Sequence, residues 1–126
     1  MQVEVVSPER VVFSGEATQV ITRTTSGDIA FLAGHAPFLG ALTENHTRIT
    51  LVDGRVLDVA VHGGFVEVNH NKVSLLSDLA ELAGDIDVAR ARIAMERAEE
   101  QMKHEHDAEV ESSLRRAHAR LAAAGG

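Results

Sequence analysis

The 126-residue sequence contains no cysteine. That rules out a disulfide framework, a thiolate zinc site and a cysteine nucleophile. No apolar run approaches the roughly 20 residues of a membrane-spanning helix, so direct membrane insertion is not expected. The N-terminal stretch MQVEVV has neither a basic flank nor an apolar signal core. The expectation is therefore a cytosolic chain. Positive charge is in short supply: twelve Lys and Arg face nineteen Asp and Glu, a net charge of −7. Neutralising a phosphate backbone needs a basic face, so nucleic acid is not an expected partner. There is no GxxxxGK[ST] phosphate loop and no GxSxG nucleophile elbow. What is present is a globular composition, 44% apolar and 25% charged, in a length suited to one domain or one small domain with an appendage.

The grammar of the chain changes near Gly84. Residues 1–84 hold eight of the ten Gly, both Pro, all four Phe and 23 Val, Ile or Thr. Residues 85–126 hold ten Ala, only four Val, Ile or Thr, and no Gly before the final pair. The first part is composed for strands and the second for helices, with the boundary at 83–87. The expected fold is α+β: an N-terminal all-β sandwich of about nine or ten strands over 1–84, then a C-terminal antiparallel two-helix hairpin over 85–126.

Within the first part, Val3 and Val5 alternate with polar neighbours, and Val11 to Phe13 reads as a short separate strand. Val20, Thr22 and Thr24 share one face of a strand over 17–24. Pro37 interrupts pairing between Leu32 and the next strand. Ile49 to Val52 and Arg55 to His62 flank Asp53-Gly54, which predicts a hairpin with a type I′ turn. Phe65 to Val68 and Lys72 to Leu76, flanking Asn69-His70-Asn71, predict another. So many short strands imply a sandwich or closed barrel. In the second part Asp87 is a candidate N-cap. Ala91, Ala94, Met95, Ala98 and Met102 form one apolar stripe, and Val110, Leu114, Ala117, Leu121 and Ala124 a second. Both stripes are thin. Alanine buries little area, so the hairpin is expected to dock weakly, as a movable element must.

The residues offer little catalytic chemistry, and no catalytic residue or metal ligand is expected. His104 and His106 are two apart, whereas helical zinc ligands favour i, i+4, so a solvated loop is the better reading. His62 and His70 lie near hairpin ends without an acidic partner at a usable spacing. The arginines are more informative. Arg90 and Arg97 are seven apart on one helical face, and Arg116 and Arg120 are four apart on another. Folding the hairpin could bring these guanidinium forks together as a receptor for a phosphate chain. The pattern alone is better met by surface arginines paired with Glu96, Glu99, Glu100 and Glu111.

Three segments resemble the epsilon subunit of bacterial F-type rotary ATP synthases. One is GDIAFLAGHAPFL at 27–39, with Ala30 and Ala33 standing where the family usually has Gly and Pro. The others are VHGGFVEV at 61–68 and IDVARA at 86–91, the last matching the family's nucleotide motif. The resemblance covers the whole chain. It implies a non-catalytic central-stalk subunit peripheral to the cytoplasmic side of a bacterial inner membrane. Its sandwich would contact the gamma subunit and the c-subunit ring. Its hairpin would either fold on the sandwich or extend towards the alpha and beta subunits and hinder ATP hydrolysis. ATP is the implied regulatory ligand, with no other cofactor. The adenine side would use Glu81, Ile86, Asp87 and Ala91, and the phosphate side Arg90, Arg97, Arg116 and Arg120. The resemblance also makes His35 a structural or interface residue of a sandwich loop. A stand-alone nucleotide-sensing module outside any rotary complex is the alternative.

Overall fold

The computed structural model describes residues 1–125; the final residue of the expected hairpin, Gly126, lies outside the described residues. Nine strands precede two helices. The strands are β1 (Gln2–Ser7), β2 (Arg10–Thr24), β3 (Gly27–Leu32), β4 (Phe38–Ala41), β5 (Asn45–Leu51), β6 (Val56–Val61), β7 (Phe65–Asn69), β8 (Lys72–Leu76) and β9 (Ala80–Leu82). A single 3₁₀ turn over Ala83–Asp85 leads to α1 (Val88–Met102) and α2 (Ala108–Ala123).

One layer of the sandwich runs β4-β7-β8-β1-β2 and the other β3-β2-β5-β6-β9, with β2 common to both. All pairs are antiparallel except β1 with β8. The separate strand expected at 11–13 does not exist as such: it is the first third of β2. Ser14 and Gly15, which follow it, form no turn: both stay in the strand, and Gly15 is not at positive φ. Instead the strand pairs with β1 up to Glu16, shifts register between Ala17 and Gln19, and continues against β5 in the other layer. Such a bulge lets one strand change sheets without breaking.

Val3, Val5, Val20, Phe31, Ile49, Val59, Val61, Val66, Val73 and Leu75 are fully buried between the layers. β-branched side chains dominate because they fit a pleated surface buried on one face. Thr22 and Thr24 also point inward, as the alternation predicts. Burying hydroxyls needs partners. Thr22 Oγ1 lies 2.8 Å from Thr47 Oγ1, Thr47 donates to Asn45 Oδ1 at 2.7 Å, and Asn45 Nδ2 donates to the Thr43 carbonyl at 2.8 Å.

The turns differ from expectation in one respect. The type I′ geometry belongs to His70 and Asn71, both in the left-handed region at φ 49° and 60°, closing the β7–β8 hairpin. Asn tolerates that region better than most residues. At Asp53-Gly54 only Gly54 has positive φ, and its amide donates to the Leu51 carbonyl at 3.0 Å. This is a turn followed by a left-handed glycine, as in three-residue hairpin loops. The Asp53 carboxylate is occupied instead by the Arg55 amide at 3.0 Å and guanidinium at 2.7 Å.

Both helices start at an Asp cap. Asp87 accepts from the Arg90 amide at 3.0 Å and Asp107 from the Val110 amide at 2.9 Å. The helices pack on each other, and α2 packs on β5 and β6. The second helix therefore buries two faces rather than the one expected stripe. Val110, Ala117 and Leu121 are buried along one face of the helix, while Ala119 and Ala123 are buried on the opposite face. Ala123 meets Ala60 of β6 and Ile86.

The tightest backbone approach is at Gly64, in the GG pair that precedes β7. Its φ is 96°, and a Cβ there would fall 2.0 Å from the Leu76 carbonyl oxygen. Gly64→Ala should therefore cost roughly 2–4 kcal/mol of sandwich stability, from strain and a backbone clash together. Gly27→Ala, also at positive φ but with no atom within 4 Å of the added Cβ, should cost about 1–2 kcal/mol. Urea unfolding of the two variants measures the difference.

Candidate functional site

The link from β9 to α1 passes through the 3₁₀ turn and delivers Glu81, Asp85 and Asp87 to one side of α1. Helical periodicity then places Arg90, Ala94 and Arg97 on successive turns of that side. With Ala91, Ile93 and Arg120 of α2 they line a cleft of about 660 Å³. Six of the eight residues named from the sequence thus meet in one place: Glu81, Asp87, Arg90, Ala91, Arg97 and Arg120. Ile86 and Arg116 do not line it. Ile86 is buried with Ala60 and Ala123 beneath the motif. Arg116 donates to Ser112 Oγ at 2.8 Å and Ser113 Oγ at 3.0 Å, along its own helix.

The ion pairs suggested by the arginine and glutamate pattern do not form. Among the described residues none of Arg90, Arg97, Arg116 and Arg120 pairs with Glu96, Glu99, Glu100 or Glu111. Glu100 takes Lys103 and His104 instead. Arg90 and Arg97 are exposed and pair with no carboxylate among the described residues. Their charge is available to a ligand. Arg120 is different: its Nε donates to Glu81 Oε1 at 2.6 Å.

That Glu81 oxygen has a second partner that the sequence did not reveal. His62, just after β6, brings Nε2 to 3.1 Å from it. The pairing of β6 with β9 in the register Ala60↔Glu81 makes this possible. Nineteen residues of sequence separate the two, so no local spacing signals the contact. His62 is buried, and burial is the main cause that pushes its pKa below the ordinary 6.5; Arg120 and Arg116 add to this, and Glu81 opposes it. A second tie between hairpin and sandwich was equally invisible. Glu44 accepts from Arg115 Nε at 3.2 Å and Ser112 Oγ at 3.4 Å. Burial raises the Glu44 carboxyl, but its own backbone amide, Arg115 and Ser112 outweigh that and hold it below the ordinary range.

A second cleft, of about 430 Å³, lies where β2 and β5 face α2. Its charges are already matched: Arg23 with Asp28 at 2.7 Å, Arg115 with Glu44 at 3.2 Å, and His46 with Asp58 at 2.6 Å. It therefore lacks the free cations of the first. Among the described residues no group of three or more His, Asp or Glu side chains is arranged to hold a metal ion. No helix among them is long and apolar enough to cross a membrane.

Comparison with known proteins gives two family matches in tandem. Residues 1–83 match the ATP synthase delta/epsilon chain beta-sandwich domain, and residues 85–125 match the ATP synthase delta/epsilon chain long alpha-helix domain. The ATP synthase epsilon chain of Streptomyces coelicolor is 49% identical over 126 residues, covering 100% of this chain and 96% of that one. The ATP synthase epsilon chain of Halalkalibacterium halodurans is 41% identical over 131 aligned positions, covering 99% and 97%. A chain in the mitochondrial ATP synthase structure of Euglena gracilis has the same fold, with a TM-score of 0.84 at 22% identity, over 98% of this chain and 80% of that one.

The two ties differ in exposure, and this separates their contributions. The Arg120 and Glu81 side chains are 27% and 24% exposed, whereas in the other tie Glu44 is 18% exposed but Arg115 is 52% exposed, so its guanidinium is largely solvated. A charge-assisted bond of the first kind contributes about 1.5–3 kcal/mol, and an exposed pair about 0–1 kcal/mol. Arg120→Ala should loosen hairpin docking by roughly 10–100-fold and Arg115→Ala by less than about 5-fold. Amide exchange across 108–123, referenced to the buried strands, reads both.

Proposed function

The chain belongs to the ATP synthase delta/epsilon-chain family, and we propose that it is a non-catalytic rotor subunit of a bacterial proton-translocating F-type ATP synthase whose hairpin is an ATP-sensitive brake on hydrolysis. In this reading the sandwich binds the gamma subunit and the c-subunit ring, on the cytoplasmic side of the inner membrane. The hairpin exchanges between the folded form described above and a form extended along gamma towards the alpha and beta subunits.

The observation that carries the nucleotide reading is the convergence of Arg90 and Arg97, exposed and paired with no carboxylate among the described residues, with Arg120 of the other helix around one cleft. A triphosphate brings several negative charges, and guanidinium forks answer them with directed bonds. Arg90 and Arg97 lie on α1 and Arg120 on α2. A ligand spanning them binds the folded pair better than the extended one, which is the condition for shifting the equilibrium. Glu81, Asp87 and Ala91 would flank the adenine, with Ile86 supporting the motif from below. Arg116, one turn before Arg120, would join the phosphates only on leaving Ser112 and Ser113.

The rotor reading draws support from the outer face of the β4-β7-β8-β1-β2 layer. Cross-strand register aligns Ala41, Phe65, Leu76, Val6 and Val11 in one row. Phe65 is 56% exposed and Val11 58%, and Leu39 nearby is 70% exposed. A continuous apolar row of this kind marks a surface that a partner covers, and we assign it to gamma.

Two outcomes are expected. In calorimetric titration of the isolated chain with ATP, Arg90→Ala and Arg97→Ala should each weaken binding by roughly 10–100-fold, while Arg116→Ala should have a smaller effect. Undetectable binding by the wild-type chain at millimolar ATP would sink the nucleotide reading. In the assembled enzyme, deletion of 85–126 should leave assembly intact and raise ATP hydrolysis, or leave it unchanged where the hairpin is mostly folded. Phe65→Glu should leave the isolated chain folded and impair association with gamma. A fall in hydrolysis by a fully assembled deletion enzyme would contradict the brake, and normal association of Phe65→Glu would contradict the assigned face.

A further inference from the structure

We propose that His62 is a proton-operated release for the hairpin: the neutral ring completes the seam between β6, β9 and α2, and a proton on it favours the undocked form. The inference rests on the reading that the hairpin docks and undocks, and adds pH to what controls it.

The geometry assigns the proton of the neutral ring. Glu81 Oε1 already accepts from Arg120 Nε at 2.6 Å and lies 3.1 Å from His62 Nε2. A carboxylate accepts, so Nε2 carries the N–H. A second proton has to go to Nδ1. Among the described residues that atom has no hydrogen-bond partner, and the side chain is 4% exposed. Protonation would therefore create a buried N–H with no acceptor, at a full desolvation cost.

The charges around the ring act in both directions: Glu81 favours a proton there and the arginines of α2 oppose it. From β9 comes Glu81, whose near oxygen is shared with Arg120. From α2 come Arg120 and Arg116, both repelling an imidazolium. Asp78, on the turn before β9, lies beside Gly63. On the same face of β5 and β6, His46 is already matched by Asp58 at 2.6 Å. Burial is the largest cause holding the ring below its ordinary 6.5, followed by Arg120. When the hairpin leaves, both arginines leave with it, water reaches the ring, and its affinity for a proton returns towards the ordinary value. The undocked form therefore binds the proton more tightly. Docking is unopposed above pH 6.5 and weakens as pH falls from 6.5 through the depressed pKa of the docked state. Acidification on the side where the hairpin moves would then extend the brake.

The test uses the full chain without nucleotide. Ring resonances, assigned through His62→Gln, report the titration, and amide exchange over 108–123 reports docking. Between pH 7.5 and 5.5 the wild-type docking equilibrium should shift towards the undocked form, by at most about tenfold per pH unit for one proton. His62→Gln keeps a neutral donor towards Glu81 but cannot titrate, and should lose most of that slope. Arg120→Gln should move the His62 titration upwards, an observable that survives even if His62→Gln docks poorly. Equal slopes in wild type and His62→Gln, or a His62 titration unmoved by Arg120→Gln, would overturn the proposal. Loss of ATP binding at pH 7.5 with the slope intact would instead refute the nucleotide reading and leave this one standing.

Discussion

One carboxylate oxygen holds the two parts of this chain in register. Glu81 Oε1 receives His62 from β6 and Arg120 from α2 at the same point. Strand β9, only three residues long, exists to put it there: its pairing with β6 sets Glu81 beside Ala60 and directs it to the layer's outer face. The cleft between the helices and the sandwich, the seating of α2 and the environment of His62 all follow from that placement.

The packing around this point is unequal by design. The sandwich closes over Phe31, Ile49, Leu75 and a set of buried valines, a core of large side chains. The hairpin meets it through Ala60, Ile86, Ala119 and Ala123. Each CH₂ removed from water contributes only about 0.8 kcal/mol, so an alanine interface is held by little dispersion or hydrophobic burial. Directed polar ties, Glu81 with Arg120 and Glu44 with Arg115 and Ser112, therefore carry a large share of the seam. Interactions of that kind respond to charge. A change of charge at these groups would act on such a seam directly, whereas it would scarcely perturb the valine core.

The fold was largely legible because its signals are local. Alternation in Val3–Val5 and Val20–Thr22–Thr24 identified inward faces, and Asp87 announced a helix start. Where the structure departs from those signals, a residue outside the local motif decides the matter. β2 could not be seen as continuous, because its change of sheet depends on which strands lie beside each half. Asp53-Gly54 has ideal type I′ composition, yet Arg55 draws the Asp53 carboxylate and a left-handed residue occurs only at Gly54. The second helix hid one buried face, since Ala119 and Ala123 look no different from exposed alanines until a sheet is placed against them.

By itself the sequence determined the class of the molecule, its two compositional halves, the cap of its first helix and the two arginine faces, Arg90 with Arg97 and Arg116 with Arg120. These depend on side-chain spacing of two or of three to four residues, which the backbone geometry of strand and helix imposes regardless of context. Only the tertiary structure decided that Arg120 reaches the cleft while Arg116 lies along Ser112 and Ser113. It alone gave His62 a carboxylate nineteen residues away and left its other nitrogen without a partner among the described residues. Those outcomes depend on strand register and on where α2 settles. Both are set by packing of the whole chain, so no short window of sequence contains them.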